Sequence, residues 1–237
     1  MSADSESQSV PTLTREGDVF LLELGDGENR FNTAFVDAVE AHLDAVQAAS
    51  MPRALVTKAT GKFWSNGLDL DWMAANQDQI EGFVPRVHGM FARFLGLDVP
   101  TIAALQGHTF AAGAMLALAH DQRVMRCDRG FFCLPEVDIG IPFTPGMSAL
   151  ILARLSARVA HEAMTTGRRY GGDAAAQAGI VERAVEADLV LSTATELAAA
   201  LAPKDPATLG AIKQGLYVST LEALRGPLDS AVRERSR

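Results

Sequence analysis

The sequence is poor in cysteine. Its 237 residues include only Cys127 and Cys133. No second pair accompanies them, so the spacing of a structural zinc site is missing, and two cysteines do not indicate a disulfide scaffold in a chain of this length. The cysteine content therefore favours a reduced, cytoplasmic protein, and no metal is expected.

Excess positive charge and long apolar runs are also missing. The formal net charge is −8, and the densest basic stretch is the short RERSR at 233–237. An acidic chain without a basic stripe binds nucleic acid poorly, so we expect no nucleic-acid partner. No run of 18 apolar residues occurs, which predicts no membrane span. The polar, acidic start MSADSESQSVPT is typical neither of a secretory signal nor of a mitochondrial presequence.

What the sequence does contain is an alternation of strand-like and helix-like segments. Short apolar runs such as DVFLLEL, RALVTKA and TIAALQG are separated by helical patterns, the first of which has Asn32 as its predicted cap. This order predicts an α/β fold with a buried, largely parallel sheet. We predict three parts: a disordered tail over 1–14, an α/β core over 15–190, and a helical region for packing or trimerisation over 191–237.

Two strand–turn–helix patches are candidates for binding an anion. In GKFWSNGLDL a strand leads through a polar turn into a helix, and in LQGHTFAAGAMLALAHD a strand leads into a helix of small residues. Backbone N–H groups at such helix starts have no partner within the helix, so they can bind a developing oxyanion. The structural alternatives are a plain connecting loop in the first patch and tight helix packing in the second.

A third patch places an acid in an apolar setting. Glu136 and Asp138 interrupt the apolar stretch GFFCLPEVDIGIP. Burial disfavours an ionised carboxylate and raises its pKa, which is useful in a general base. The alternative is that Glu136 ends a strand and reaches solvent. We expect it to lie on or just after the strand GFFCL.

The order of the three patches resembles the enoyl-CoA hydratase/isomerase family, the crotonase superfamily. The block PTIAALQGHTFAAGAMLALAHDQRVMRCDRGFFCLPEVDIGI is similar to the family's core, and TTGRRYGGDAAAQAGIVERAV to a later segment. The resemblance implies a crotonase-like spiral of repeated ββα units with a helical C-terminal region. It also implies an acyl-CoA substrate, no cofactor beyond the coenzyme A of that substrate, and a homotrimer or a hexamer of two trimers.

The resemblance also assigns roles to residues. In this family two backbone N–H groups hold the thioester oxygen of an enolate, and these positions match Ser65 and Ala112. Glycines beside them would keep the turns tight. The remaining residues expected to contact substrate are Asn66, Gly67, Gly113, Arg30 and Trp64.

The acids decide which reaction the resemblance implies. The family's hydratases use two glutamates, and Glu136 matches the second, whereas Met115 occupies the place of the first. A thioether cannot exchange a proton at neutral pH. One acid without the other is similar to the Δ3,Δ2-enoyl-CoA isomerases, in which a single glutamate moves a proton from C2 to C4.

Three other functions remain open from the sequence. A hydratase, or another enolate-forming enzyme, would recruit Asp69 or Asp138 as its second acid, although capping of a helix is the structural alternative for Asp69. A serine hydrolase would use Ser65 with a histidine, yet the chain lacks G-x-S-x-G. A non-catalytic scaffold would bind acyl-CoA without turnover.

Overall fold

The computed structural model describes residues 10–227. Its strands are β1 (Thr12–Glu16), β2 (Val19–Glu23), β3 (Ala54–Lys58), β4 (Phe63–Ser65), β5 (Thr101–Leu105), β6 (His108–Phe110), β7 (Gln122–Arg126), β8 (Phe132–Cys133) and β9 (Arg183–Val185). Its helices are α1 (Thr33–Ala48), α2 (Leu70–Ala75), α3 (Ile80–Gly96), α4 (Ala112–Ala119), α5 (Glu136–Ile139), α6 (Pro145–Arg154), α7 (Ala157–Thr166), α8 (Gly172–Gln177), α9 (Val190–Leu201), α10 (Pro206–Leu216) and α11 (Val218–Arg225).

The strands form two sheets. The larger has the order β1-β2-β3-β5-β7-β9, with β1 antiparallel to β2 and the other pairs parallel. The smaller is the parallel sheet β4-β6-β8. Each of β3, β5 and β7 lies in the larger sheet and is followed by a strand of the smaller sheet and then by a helix. This repeated ββα unit is the spiral expected from the sequence, and the predicted α/β class is confirmed.

The larger sheet is buried on both faces. In β3, Leu55 packs into the core shared with α1, α3 and α4, whereas Ala54 and Val56 pack with α9 on the opposite face. This division follows from the alternation of side chains along a strand. It explains why the strands read as continuous apolar runs rather than as alternating patterns.

The predicted division of the chain needs two corrections. The tail predicted over 1–14 overlaps β1, which begins at Thr12, while residues 1–9 lie outside the described part. The boundary predicted at 190 does not divide the core from the helical region, because Val190 and Ala194 of α9 are buried against the larger sheet. No helix within residues 10–227 is long and apolar enough to cross a membrane.

Candidate active site

A cavity of about 330 Å³ opens at the carboxyl ends of the smaller sheet, where the turns after β4 and β6 meet α5. Its wall is mainly apolar. The lining residues are Arg30, Asn66, Leu68, Leu70, Asp71, Phe110, Ala111, Ala112, Met115, Pro135, Glu136, Ile139, Ile141, Pro142 and Met147. Its size and composition are typical of a small-molecule site with a few placed polar groups.

Glu136 reaches this wall from a helix, not from a strand. Strand β8 ends at Cys133, and Pro135 caps the single turn α5, which Gly140 closes at φ 70°. Proline has no N–H to continue the ladder, and its fixed φ suits the start of a helix. Glu136 therefore comes just after the strand, as expected, but on a helical turn, and the alternative that it ends a strand and reaches solvent is wrong.

The environment of Glu136 is that of a proton carrier. The residue is 5% exposed, and its Oε2 has no hydrogen-bond partner among the described residues. Burial raises its pKa from 4.5 to about 7, and a hydrogen bond from its own main chain partly opposes the rise. A carboxyl with this pKa can both accept and return a proton near neutral pH.

The other carboxyl on the wall is Asp71, and its surroundings differ. Its side chain is 90% exposed and accepts a hydrogen bond from Nη1 of Arg30 at 2.7 Å. Arg30 also contacts Glu28 at 2.5 Å. Among residues 10–227, Glu136 is thus the one buried carboxyl that lines the cavity.

The two acids proposed for a hydratase do not line the cavity. Asp69 caps α2 by accepting a hydrogen bond from the backbone N–H of Trp72 at 3.0 Å, which is the structural alternative considered for it. Asp138 is exposed and its carboxylate lies against the backbone of Gly167.

One backbone donor faces the cavity at the start of α4. Ala111 has a positive φ of 51°, an uncommon conformation for a residue with a side chain. It directs the chain into α4, whose first residue is Ala112. The Ala112 N–H donates no hydrogen bond within the described part of the chain. Both residues lie on the wall of the cavity.

Within residues 10–227, a second backbone N–H without an acceptor belongs to Leu68, a residue that the sequence analysis did not single out. Phe31 and Leu68 form a parallel bridge in which the Phe31 N–H donates to Gly67 O at 2.7 Å and the Asp69 N–H donates to Phe31 O at 3.0 Å. In such a bridge the N–H of Leu68 itself points away from Phe31. The Leu68 N–H has no recorded acceptor among the described residues, and Leu68 lines the cavity.

Ser65, expected as the second donor, has a different place. It is fully buried, pairs with Thr109 in the smaller sheet, and is not on the cavity wall. Its hydroxyl donates to Asn29 O at 2.8 Å and accepts from the Gly67 N–H at 3.2 Å. The same contacts speak against a serine hydrolase, since no histidine contacts this hydroxyl in the described part of the chain.

The two turns lie too close together for side chains at their glycines. A Cβ on Gly67, whose φ is 82°, would lie 2.8 Å from the nitrogen of Ala112. A Cβ on Gly113 would lie 2.6 Å from the Ser65 carbonyl oxygen. Neither glycine lines the cavity. Because neither has a side chain, the two turns can approach each other closely behind the cavity wall.

Comparisons with known proteins identify the family of the chain. Residues 15–229 match the family model "Enoyl-CoA hydratase/isomerase". The chain belongs to the enoyl-CoA hydratase/isomerase family. It is 37% identical to Enoyl-CoA delta isomerase 3 of Arabidopsis thaliana over 87% of this chain and 91% of that one. It is 41% identical to the peroxisomal Enoyl-CoA delta isomerase 2 of the same plant, over 73% and 76% respectively.

A solved structure of the family shares the fold. The probable enoyl-CoA hydratase of Mycobacterium tuberculosis H37Rv superimposes with a TM-score of 0.88 at 24% identity, covering 96% of this chain and 97% of that one. The crotonase-like fold expected from the sequence is confirmed.

The first of the two glutamates expected in a hydratase is missing from the cavity of this member. Met115, which replaces it, is 1% exposed and lines the wall one turn after Ala112. No group of three or more His, Cys, Asp or Glu side chains within residues 10–227 is arranged to hold a metal ion. The polar groups of the wall are therefore Glu136, Asn66 and the Arg30–Asp71 pair.

The remaining expected site residues separate into two groups. Asn66 and Arg30 line the cavity. Trp64 does not: it is fully buried, its ring packs edge-on against His120 with centroids 6.1 Å apart, and its Nε1 donates to Thr57 O at 3.4 Å. The expectation that Trp64 contacts substrate is wrong because residue 64 of β4 faces the core.

Proposed function

We propose that this family member is an enoyl-CoA isomerase that converts 3-enoyl-CoA to 2-trans-enoyl-CoA. The observation that carries the proposal is a single buried carboxyl, Glu136, on a mainly apolar cavity wall where Met115 replaces the other glutamate of the hydratases. The two Arabidopsis relatives named as enoyl-CoA delta isomerases support the same reaction.

The reaction needs one proton carrier and one oxyanion site. The Glu136 carboxylate removes a proton from C2 of the substrate, and the electron pair moves onto the thioester oxygen to give a dienolate. The Leu68 and Ala112 N–H groups donate hydrogen bonds to that oxygen. The Glu136 carboxylic acid then returns the proton to C4 as the double bond forms between C2 and C3.

The surroundings of Glu136 suit this shuttle. A pKa raised to about 7 makes the Glu136 carboxylate a stronger base than an ordinary glutamate, and its conjugate acid can still return the proton near neutral pH. Preorganised donors act most strongly where water is excluded, and removing one typically lowers the rate by about 10²–10³-fold. Met115 and Met147, which are 1% and 7% exposed, supply buried apolar wall around the cavity.

Water addition is the alternative reaction, and the geometry disfavours it. A hydratase of this family needs a second acid to place the water. Neither Asp69 nor Asp138 lines the cavity, and Asp71 is exposed and paired with Arg30. We therefore keep the hydratase, or another enolate-forming enzyme, as the second candidate.

The assembly and its location are also proposed. We infer a homotrimer or a hexamer of two trimers, acting on acyl-CoA in the cytoplasm without a further cofactor. Exposed apolar side chains on the last helices support an interface, since Ile212, Leu216 and Val218 are 59%, 68% and 51% exposed. Arg30, which we expect to contact the substrate, already forms ion pairs with Asp71 and Glu28, and a bound substrate would compete with these pairs.

A substrate comparison tests the function. We expect the protein to convert 3-enoyl-CoA thioesters of several chain lengths to conjugated 2-enoyl-CoA, followed by the absorbance of the conjugated product. The rate of hydration of 2-enoyl-CoA should be lower than the rate of isomerisation by about 10²-fold or more, because the other glutamate of the hydratases is missing. Rapid hydration without isomerisation would contradict the proposal and favour the second candidate.

A further inference from the structure

Ser65 lies between the two backbone donors without lining the cavity. Its hydroxyl accepts a hydrogen bond from the Gly67 N–H, the residue before Leu68. On its other side it lies against Gly113, the residue after Ala112, where an added Cβ would be 2.7 Å from the hydroxyl oxygen. One buried side chain thus touches both donor turns.

The hydroxyl also links these turns to a third segment, the loop 28–31. It donates to Asn29 O at 2.8 Å, and the Asn66 N–H donates to Glu28 O at 2.9 Å. The bridge between Phe31 and Leu68 continues this pairing. The loop therefore runs alongside the turn 65–69 and pairs with the backbone of Asn66, Gly67 and Asp69, which leaves the Leu68 N–H on the side away from the loop.

The side chain of Asn29 also holds this loop in place. It is fully buried and has a φ of 50°, and its Nδ2 donates to the carbonyl oxygens of Phe63 at 3.2 Å and Trp64 at 3.1 Å. Buried side-chain amides bonded to several backbone groups hold a loop in a single conformation. The side chains of Asn29 and Ser65 thus form a clasp, which we call the Asn29–Ser65 clasp.

We propose that the Asn29–Ser65 clasp sets the distance between the Leu68 and Ala112 N–H groups, so that Ser65 is a positioning residue for the enolate. The inference rests on the proposed function, since it assigns a role within the same reaction. Donors aimed at charge that develops only in the transition state change kcat more than substrate binding. Loss of the clasp should therefore lower kcat and leave KM nearly unchanged.

The test compares Ser65→Ala with the matched control Thr109→Val. Thr109 is also fully buried in the smaller sheet, and its hydroxyl donates to Gly107 O at 3.2 Å without contacting the loop 28–31. We expect kcat of Ser65→Ala to fall by about 10- to 100-fold with KM within about twofold. Thr109→Val should lower Tm by a similar amount and keep kcat within about threefold.

Amide hydrogen exchange gives a readout that does not depend on turnover. The Gly67 and Asp69 amides should exchange faster in Ser65→Ala than in the wild type or in Thr109→Val. If the wild type shows no isomerase activity, the proposed function fails, and the exchange data still decide whether the clasp holds the turn. Unchanged exchange, or equal losses of kcat in Ser65→Ala and Thr109→Val, would overturn the inference.

A second variant covers the case in which Ser65→Ala does not fold. Asn29→Gly keeps the positive φ at no steric cost, removes the Asn29 side chain, and leaves the backbone carbonyl that accepts from Ser65. It should show the same pattern: lower kcat, nearly constant KM and faster exchange at Gly67. An Asn29→Gly variant with the kcat of the wild type would overturn the inference.

Discussion

At the scale of the residue, the site rests on one buried carboxyl in a mainly apolar cavity wall. Glu136 has an unpartnered oxygen, and burial raises its pKa to about 7. The sequence predicted the apolar stretch around Glu136, and the resemblance to the family showed Met115 in the place of the other glutamate. The local backbone was not, because Pro135 turns the chain into α5 immediately before the acid.

The raised pKa of Glu136 predicts the pH dependence of the reaction. The carboxylate form removes the first proton, so protonation at low pH stops the free enzyme. We expect log(kcat/KM) to fall by about one per pH unit below pH about 7. A carboxyl that kept its ordinary pKa of 4.5 would leave the rate flat down to about pH 5. A pH–rate profile of 3-enoyl-CoA turnover distinguishes the two.

At the scale of the element, the site depends on two abutting turns, and their contact was only partly predictable. The glycines were identified as keeping the turns tight. The choice of donor was not readable, because it depends on the bridge between Phe31 and Leu68, residues far apart in the chain. The resemblance to the family assigned the donor to Ser65, whereas the pairing with Phe31 leaves the Leu68 N–H without an acceptor among the described residues.

The close approach of the turns predicts the effect of Gly67→Ala. The new Cβ would lie 2.8 Å from the Ala112 nitrogen, so it should displace one donor and lower kcat/KM by about 10²-fold or more. Gly179→Ala is the matched control. Gly179 has a φ of 72° and no atom within 4 Å of its added Cβ.

Both alanine variants should lose about 1 kcal/mol or more of stability from the positive φ, measured as a fall in the free energy of unfolding. Only Gly67→Ala should lose activity. Equal activities in the two variants would show that the contact with Ala112 does not matter to the reaction.

At the scale of the whole molecule, the order of strands and helices was the most predictable feature. Strands β2, β3 and β5 and the helix capped by Asn32 lie where the sequence patterns predicted them, since each pattern is local. The packing of α9 on the larger sheet was not predicted. Its buried face consists of small residues such as Ala194 and Ala198, and their burial depends on a sheet formed by distant segments.

The central claim is that Glu136 alone carries the proton, and the variant Glu136→Gln tests it most directly. Asp138→Asn is the matched control, because Asp138 is a carboxylate on the same short helix but does not line the cavity. Circular dichroism and Tm would confirm that both variants fold.

We predict that Glu136→Gln lowers kcat for conversion of 3-enoyl-CoA to 2-enoyl-CoA by about 10²–10⁴-fold, the range for loss of a general base, while Asp138→Asn stays within about threefold of the wild type. A wild-type kcat in folded Glu136→Gln would contradict the account.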